Sequence, residues 1–353
     1  MPSPAETSRR PRQLAVGAVL VALLAGLAGC TPAPAETPEP TLTVPTEKPV
    51  TDTSTLRTII DSAPEQPTLT MGEVLDATDG VTSTAVTYDS GGLTISGVLR
   101  VPAGEGPFPG VVVVHGSVDP ERYDTGGDLE SEQRVLVANG YAVLATDLRG
   151  YGSSDPADSE DNLTVDPGFG WPTVLDWGMA LDVVNALAVL RSGQVPEVDP
   201  DRIGLVGHSL GGLLALDAAV IAPGSSDMVV ALSAATSSFG EVIEGYEASG
   251  ADVTETTAGP TQDPEYWADV SPRTFFDRAT EPLLLIHGGA DDTALPEWSQ
   301  ETAAAWQAEG LEAQAVILDG ADHALKPRRD EADELMLAAF NATIGPGGAP
   351  QTG

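Results

Sequence analysis

Arg202-Ile203-Gly204-Leu205-Val206-Gly207-His208-Ser209-Leu210-Gly211-Gly212 sets a serine between glycines where a strand turns abruptly into a helix. Ile203, Leu205 and Val206 form a short apolar strand, and Leu213, Leu214, Leu216, Ala218, Ala219 and Val220 supply the apolar side of a following helix. Gly207 and Gly211 flank Ser209 at minus two and plus two, where a Cβ would collide with the neighbouring turn, and Gly212 lets the helix approach the sheet. A Gly-x-Ser-x-Gly run can arise by chance in a chain with 38 glycines. The strand before it and the helix after it mark a nucleophile elbow instead, with Ser209 above the sheet edge.

Working outward, the elbow lies in an alternation of strands and helices. Thr82–Tyr88 and Leu93–Val101 are β-rich and separated by Asp89-Ser90-Gly91-Gly92, which predicts a hairpin at a sheet edge. Val111–Val114 reads as a strand buried on both faces and Tyr141–Thr146 as another buried strand, and strands recur at Met228–Leu232, Leu283–Ile286 and Ala313–Leu318. Helical spacing is expected over Glu130–Ala138, Val174–Leu190, Pro296–Glu309 and Asp330–Ile344. This alternation predicts a mostly parallel sheet covered on both faces, with functional groups beyond the carboxyl ends of its strands.

A serine hydroxyl needs a base, and the base needs a third group to hold it. In elbows of this kind the acid and the histidine follow the serine in the chain. Of the four histidines only His287 and His323 do so. His287 closes a strand and opens the turn His287-Gly288-Gly289-Ala290-Asp291-Asp292, where it would shape the acid loop. His323, in Gly320-Ala321-Asp322-His323-Ala324, follows the last strand and is the expected base. Asp291 and Asp292 compete for the acid; Asp291, four residues past His287, is favoured, with Asp292 as an outward carboxylate and Asp322 stabilising the histidine's turn. An oxyanion would need preorganised donors. The expected pair is the backbone N–H of Leu210 and, after Val111–Val114, that of Ser117 in His115-Gly116-Ser117, where Gly116 permits a close turn. His115 reads as a structural hydrogen-bonding residue at a strand end. No metal or cofactor is called for.

From about Val81 to Ile344 the chain resembles an α/β-hydrolase, nearest the dienelactone-hydrolase and prolyl-oligopeptidase catalytic-domain branches. The residues that carry the likeness are His115-Gly116, Asp147-Leu148-Arg149-Gly150-Tyr151-Gly152, Gly207 to Gly212, His287-Gly288 through Asp291, and Asp322-His323. The resemblance implies a mostly parallel central sheet of about eight strands with helices on both faces and a small cap. It also implies a triad of Ser209, Asp291 and His323. Prolyl-oligopeptidase-type peptidases carry a β-propeller ahead of this domain, whereas here a tether and a hairpin precede it. Dienelactone hydrolases use a cysteine nucleophile. The first departure favours a carboxylic ester hydrolase acting on a small ester and the second disfavours a dienelactone as that ester, with a serine peptidase of short peptides or a catalytically silent surface binding protein as alternatives.

The amino terminus carries Arg9, Arg10 and Arg12, then an uncharged apolar stretch from Gln13 to Gly29, then Cys30, the one cysteine of the chain. The apolar stretch is shorter than the roughly 20 residues that cross a bilayer, and it reads as a secretory signal. Leu27-Ala28-Gly29-Cys30 resembles a bacterial lipobox, which predicts lipidation at Cys30 and an exported, membrane-anchored lipoprotein. Residues 31–50, with six prolines and five threonines, read as part of a tether. The expected organisation is a signal peptide over 1–29, a tether over 30–68, a hydrolase domain over 69–345 with a cap insertion at about 236–276, and a loose tail over 346–353.

With 53 acidic against 16 basic residues and a net charge of −37, nucleic acid is excluded as a partner on electrostatic grounds. Residues 236–270 hold eight carboxylates and no Lys or Arg. They read either as an acidic cap that repels anionic substrates or as an ordinary solvated loop.

Overall fold

The computed structural model describes residues 52–156, 163–165, 173–249, 257–258 and 264–345. A short helix, α1 (Leu56–Ile60), comes first, followed by β1 (Leu69–Thr78), β2 (Val81–Ser90), β3 (Leu93–Pro102) and β4 (Phe108–Val114). Then come α2 (Glu130–Ala138), β5 (Ala142–Thr146), β6 (Leu163–Val165), β7 (Thr173–Leu175), α3 (Gly178–Arg191), β8 (Val198–His208), α4 (Leu210–Ile221) and β9 (Met228–Leu232). The remainder holds α5 (Phe239–Ser249), β10 (Thr257–Ala258), α6 (Pro264–Asp269), a 3₁₀ helix (Pro272–Arg278), β11 (Leu283–Gly288), α7 (Pro296–Ala308), β12 (Ala313–Leu318) and α8 (Arg329–Thr343).

Nine strands form one sheet in the order β1-β2-β3-β5-β4-β8-β9-β11-β12. The pairs β1·β2, β2·β3 and β3·β5 are antiparallel, and the pairs from β5 to β12 are parallel. This is the α/β-hydrolase fold expected from the sequence. The apolar runs explain it: Val112 and Val114 of β4 join the core on one face, with residues of α3, α4 and α7, while Val111 and Val113 join the other, with α2 and α8. The strand order reverses at β4, so the carboxyl ends of β4 and β8 flank a natural crevice.

Four features depart from the sequence reading. The sheet has nine strands rather than about eight, because β1 pairs with β2 along its length while nine of its ten residues stay exposed, among them Met71, Val74 and Leu75. The helix expected from Val174 starts at Gly178, since Thr173–Leu175 is a strand. The tether expected over 30–68 gives way, within its described part, to α1: Thr55 caps it through a reciprocal bond with Thr58, and Leu56 and Ile59 are buried in the core. Finally, the insertion expected at about 236–276 does not stand alone. Its β10 pairs with β6, which pairs with β7, so segments after β5 and after β9 share a three-stranded sheet. Residues 1–51 and 346–353 lie outside the described residues, and with them the expected signal, Cys30 and the tail. Among the described residues no helix is long and apolar enough to cross a membrane.

Helix α4 is buried from Leu210 to Val220, and its single charged residue, Asp217, is 0 % exposed with neither carboxyl oxygen hydrogen-bonded. Burial pushes this carboxyl well above the usual range. The folded state then keeps a proton that the unfolded chain releases above about pH 3.9, so this residue costs stability increasingly as pH rises from there. Asp217→Leu keeps the branched shape without the polar atoms. It is expected to raise stability at pH 8 by about 1–3 kcal/mol, with a smaller gain at pH 5. Urea unfolding of both proteins at the two pH values measures this; an equal or unfavourable change at pH 8 would refute it.

Candidate active site

Ser209 follows β8 directly and opens α4 with φ 55° and ψ −115°, a backbone conformation that is costly for a residue with a Cβ. Its surroundings over-determine that geometry. The Ser209 N–H donates to Leu232 O at 2.8 Å, and its carbonyl accepts from the Leu213 N–H at 3.1 Å. A Cβ on Gly207 would lie 2.0 Å from Gly211 O, and one on Gly211 would lie 2.3 Å from Val114 O. The glycine spacing is therefore demanded by backbone packed on backbone.

His323, in the turn after β12, presents Nε2 to Ser209 Oγ at 3.0 Å. Its Nδ1–H donates to Asp291 Oδ2 at 2.7 Å. Asp291 stands in the turn after β11, and its Oδ1 accepts the backbone N–H groups of Thr293 and Ala294 at 2.9 and 3.0 Å. His287 also approaches Oδ2, at 3.1 Å, while its Nε2–H donates to Ala294 O at 2.9 Å and its Nδ1 meets Ser299 Oγ at 2.7 Å. Burial alone would push the Asp291 carboxyl up. Hydrogen bonds from His287, His323 and the Thr293 N–H outweigh it and hold the group well below the usual carboxylate range. Asp292 is exposed. Asp322 Oδ1 accepts the Lys326 N–H and so closes the histidine's turn.

The loop after β4 brings Gly116 against the serine: a Cβ there would fall 3.3 Å from Ser209 Cβ. Gly116 N–H donates to Asp128 Oδ2 at 3.0 Å, and the hydroxyls of Ser117 and Tyr151 are hydrogen-bonded. Leu210 begins α4, where the first N–H groups have no acceptor inside the helix. His115 is buried, with Nδ1–H donating to Gly116 O and its ring between Tyr123 and Tyr151. The Asp147–Gly152 turn belongs to the scaffold. Asp147 accepts the Tyr123 hydroxyl and the Gly126 N–H, and the Arg149 guanidinium binds the buried Asp182 through two nitrogens at 3.0 and 2.8 Å.

The sequence reading missed Asp128 and the cross-link made by His208, whose Nε2–H donates to His323 O at 3.0 Å. It also missed that two of the eight carboxylates in residues 236–270 are neutralised from outside that stretch: Glu241 by Arg273, and Asp269 by Arg57, which lies over the Phe275 ring. Among the described residues no group of three or more His, Asp or Glu is disposed to hold a metal ion.

Residues 111–335 match the Alpha/beta hydrolase family. Among solved structures, the chain is similar to the acetyl xylan esterase from Paenibacillus sp. R4, with 21 % identity over 82 % of this chain and 92 % of that one and a TM-score of 0.58. It is also similar to the Pyrococcus horikoshii acylaminoacyl peptidase (16 % identity, 79 % and 42 % covered, TM-score 0.54). A puromycin-hydrolyzing peptidase of Mycobacterium tuberculosis matches at 21 % identity, with 79 % and 39 % covered and a TM-score of 0.55. The chain thus spans about two fifths of either peptidase. At these identities the likeness establishes the fold. One expectation is corrected here. The described residues fold like these hydrolases, and that likeness gives a substrate-binding hydrolase and no support for the lipid anchor at Cys30 or a membrane-anchored location.

Proposed function

The chain belongs to the alpha/beta hydrolase family, and from that premise we propose that it hydrolyses small carboxylic esters through an acyl-enzyme on Ser209. The observation that carries this reading is the chain of two hydrogen bonds, Ser209 Oγ to His323 Nε2 at 3.0 Å and His323 Nδ1–H to Asp291 Oδ2 at 2.7 Å. His323 takes the hydroxyl proton as Oγ attacks the ester carbonyl carbon, and Asp291 holds the ring in the tautomer whose Nε2 is free to accept. The tetrahedral oxyanion is met by the N–H groups of Leu210 and Ser117, with the positive end of α4 behind them. Collapse expels the alcohol, which receives its proton from His323. Water then attacks the acyl-enzyme, with His323 again as base, and releases the acid. Residues 69–345 form the catalytic domain in this reading.

An ester is favoured over a peptide because the acetyl xylan esterase is matched over 92 % of its length, against 42 % and 39 % for the two peptidases. The likeness to the prolyl-oligopeptidase catalytic-domain branch supports acyl transfer on a serine nucleophile. Comparing turnover of phenyl acetate with that of an aminoacyl anilide tests the choice. The ester is expected to give the higher kcat/KM by at least about 10²-fold, a difference of about 2.7 kcal/mol in transition-state stabilisation. An anilide preferred over the ester would establish the peptidase alternative.

A further inference from the structure

His208 is the last residue of β8 and the neighbour of Ser209, and its backbone is fixed by pairing with Leu232 of β9. Its side chain crosses from the elbow to the turn that carries His323. A carbonyl oxygen only accepts, so the 3.0 Å contact with His323 O places a proton on His208 Nε2. On its other side the ring packs on Gly116, where a Cβ would stand 3.1 Å from His208 Nδ1. Gly116 is in turn held through its N–H by Asp128, whose charge is felt at the His208 ring. One imidazole therefore touches both loops that bracket the serine: the one that bears the base and the one expected to bear an oxyanion donor.

We propose that His208 is a positioning residue, whose Nε2–H bond to the backbone of His323 holds that imidazole in line with Ser209. The proposal rests on the serine-hydrolase reading above. Other contacts join the acid and base turns to each other, as when the Ala290 N–H bonds Ala321 O and Gly288 packs on Asp322 O. The His208 bond joins the base turn to the elbow itself. Without it the His323 backbone is free to drift relative to Ser209, and the 3.0 Å contact between Nε2 and Oγ loosens while the substrate pocket stays as it is. Burial lowers the His208 pKa, so the bond is made by a neutral ring and no second cation stands beside the imidazolium that forms on His323.

The test compares His208→Gln with His208→Met, two side chains of similar length of which only glutamine offers an N–H. Kinetics on phenyl acetate should show kcat of the methionine variant down on the order of 10²-fold with KM within about threefold of wild type. Glutamine should recover at least about tenfold of that loss. A merely structural role would lower the fraction of folded protein in both variants alike and would not separate them in kcat. Circular dichroism and thermal unfolding establish that both are folded; if the methionine variant is not, His208→Phe replaces it on the same terms. Wild-type turnover with a methionine or phenylalanine variant within about threefold of it, or with glutamine no better than either, overturns the proposal alone. A wild-type protein that neither hydrolyses esters nor reacts with a fluorophosphonate overturns the serine-hydrolase reading and the proposal with it.

Discussion

Ser209→Ala is expected to lower ester turnover by about 10⁴- to 10⁶-fold while leaving the fold in place. Alanine keeps the Cβ, so the strain at φ 55° and the backbone bonds to Leu232 and Leu213 that maintain it are unchanged. What is lost is the one oxygen that His323 Nε2 reaches at 3.0 Å. Binding and the oxyanion donors alone would leave a small residual rate. Steady-state kinetics on a chromogenic acetate, with circular dichroism as the control for folding, reads this directly. Activity above roughly a hundredth of wild type would place the nucleophile elsewhere.

Asp291→Asn is expected to cost on the order of 10⁴ in kcat. The side chain has no orientation an amide can use. Oδ1 accepts two backbone N–H groups, and Oδ2 is approached by His323 Nδ1 and His287 Nε2, so an NH₂ on either side faces donors. Turned toward His323, it forces the imidazole into the tautomer with a proton on Nε2, facing a serine that then has no base. Turned toward Thr293 and Ala294, it leaves buried donors unpaired, at about 1–3 kcal/mol of stability. Asp292→Asn, on an exposed neighbour, is expected to change neither property. Acid titration gives a second signature. The Asp291 carboxyl lies below its ordinary value in the folded protein, so it contributes stability above about pH 3.9 that is lost as pH falls through the folded value. The Asp291→Asn variant would lack that slope. The reverse ranking, with the Asp292 variant inactive, would move the acid by one residue.

Much of the fold and of the candidate site was legible because it is written in short-range patterns. Glycine spacing around Ser209, apolar runs of four to six residues and the positions of Asp291 and His323 after strands are all local. What escaped was either unpatterned or long-range. Strand β1 has no apolar alternation because both its faces are exposed. Helix α1 sits in a proline-rich stretch that suggested a tether, although Thr55, Leu56 and Ile59 supply a cap and an apolar face. The three-stranded sheet is built from two- and three-residue strands, too short to read as strands, and its β10 pairs with β6 far back in the chain, Thr257 opposite Val165. The Asp128–Gly116 and His208–His323 links join residues 12 and 115 positions apart. The acidic stretch in residues 236–270 looked unpaired because its partners, Arg57 and Arg273, lie outside it.

The central claim is that Ser209 is an activated nucleophile, and covalent labelling tests it most directly. Incubation with a fluorophosphonate followed by peptide mass spectrometry is predicted to find one adduct, on the tryptic peptide containing Ser209, with labelling abolished in Ser209→Ala and slowed in Asp291→Asn. An unlabelled wild-type protein, or an adduct on any other residue, would contradict the account.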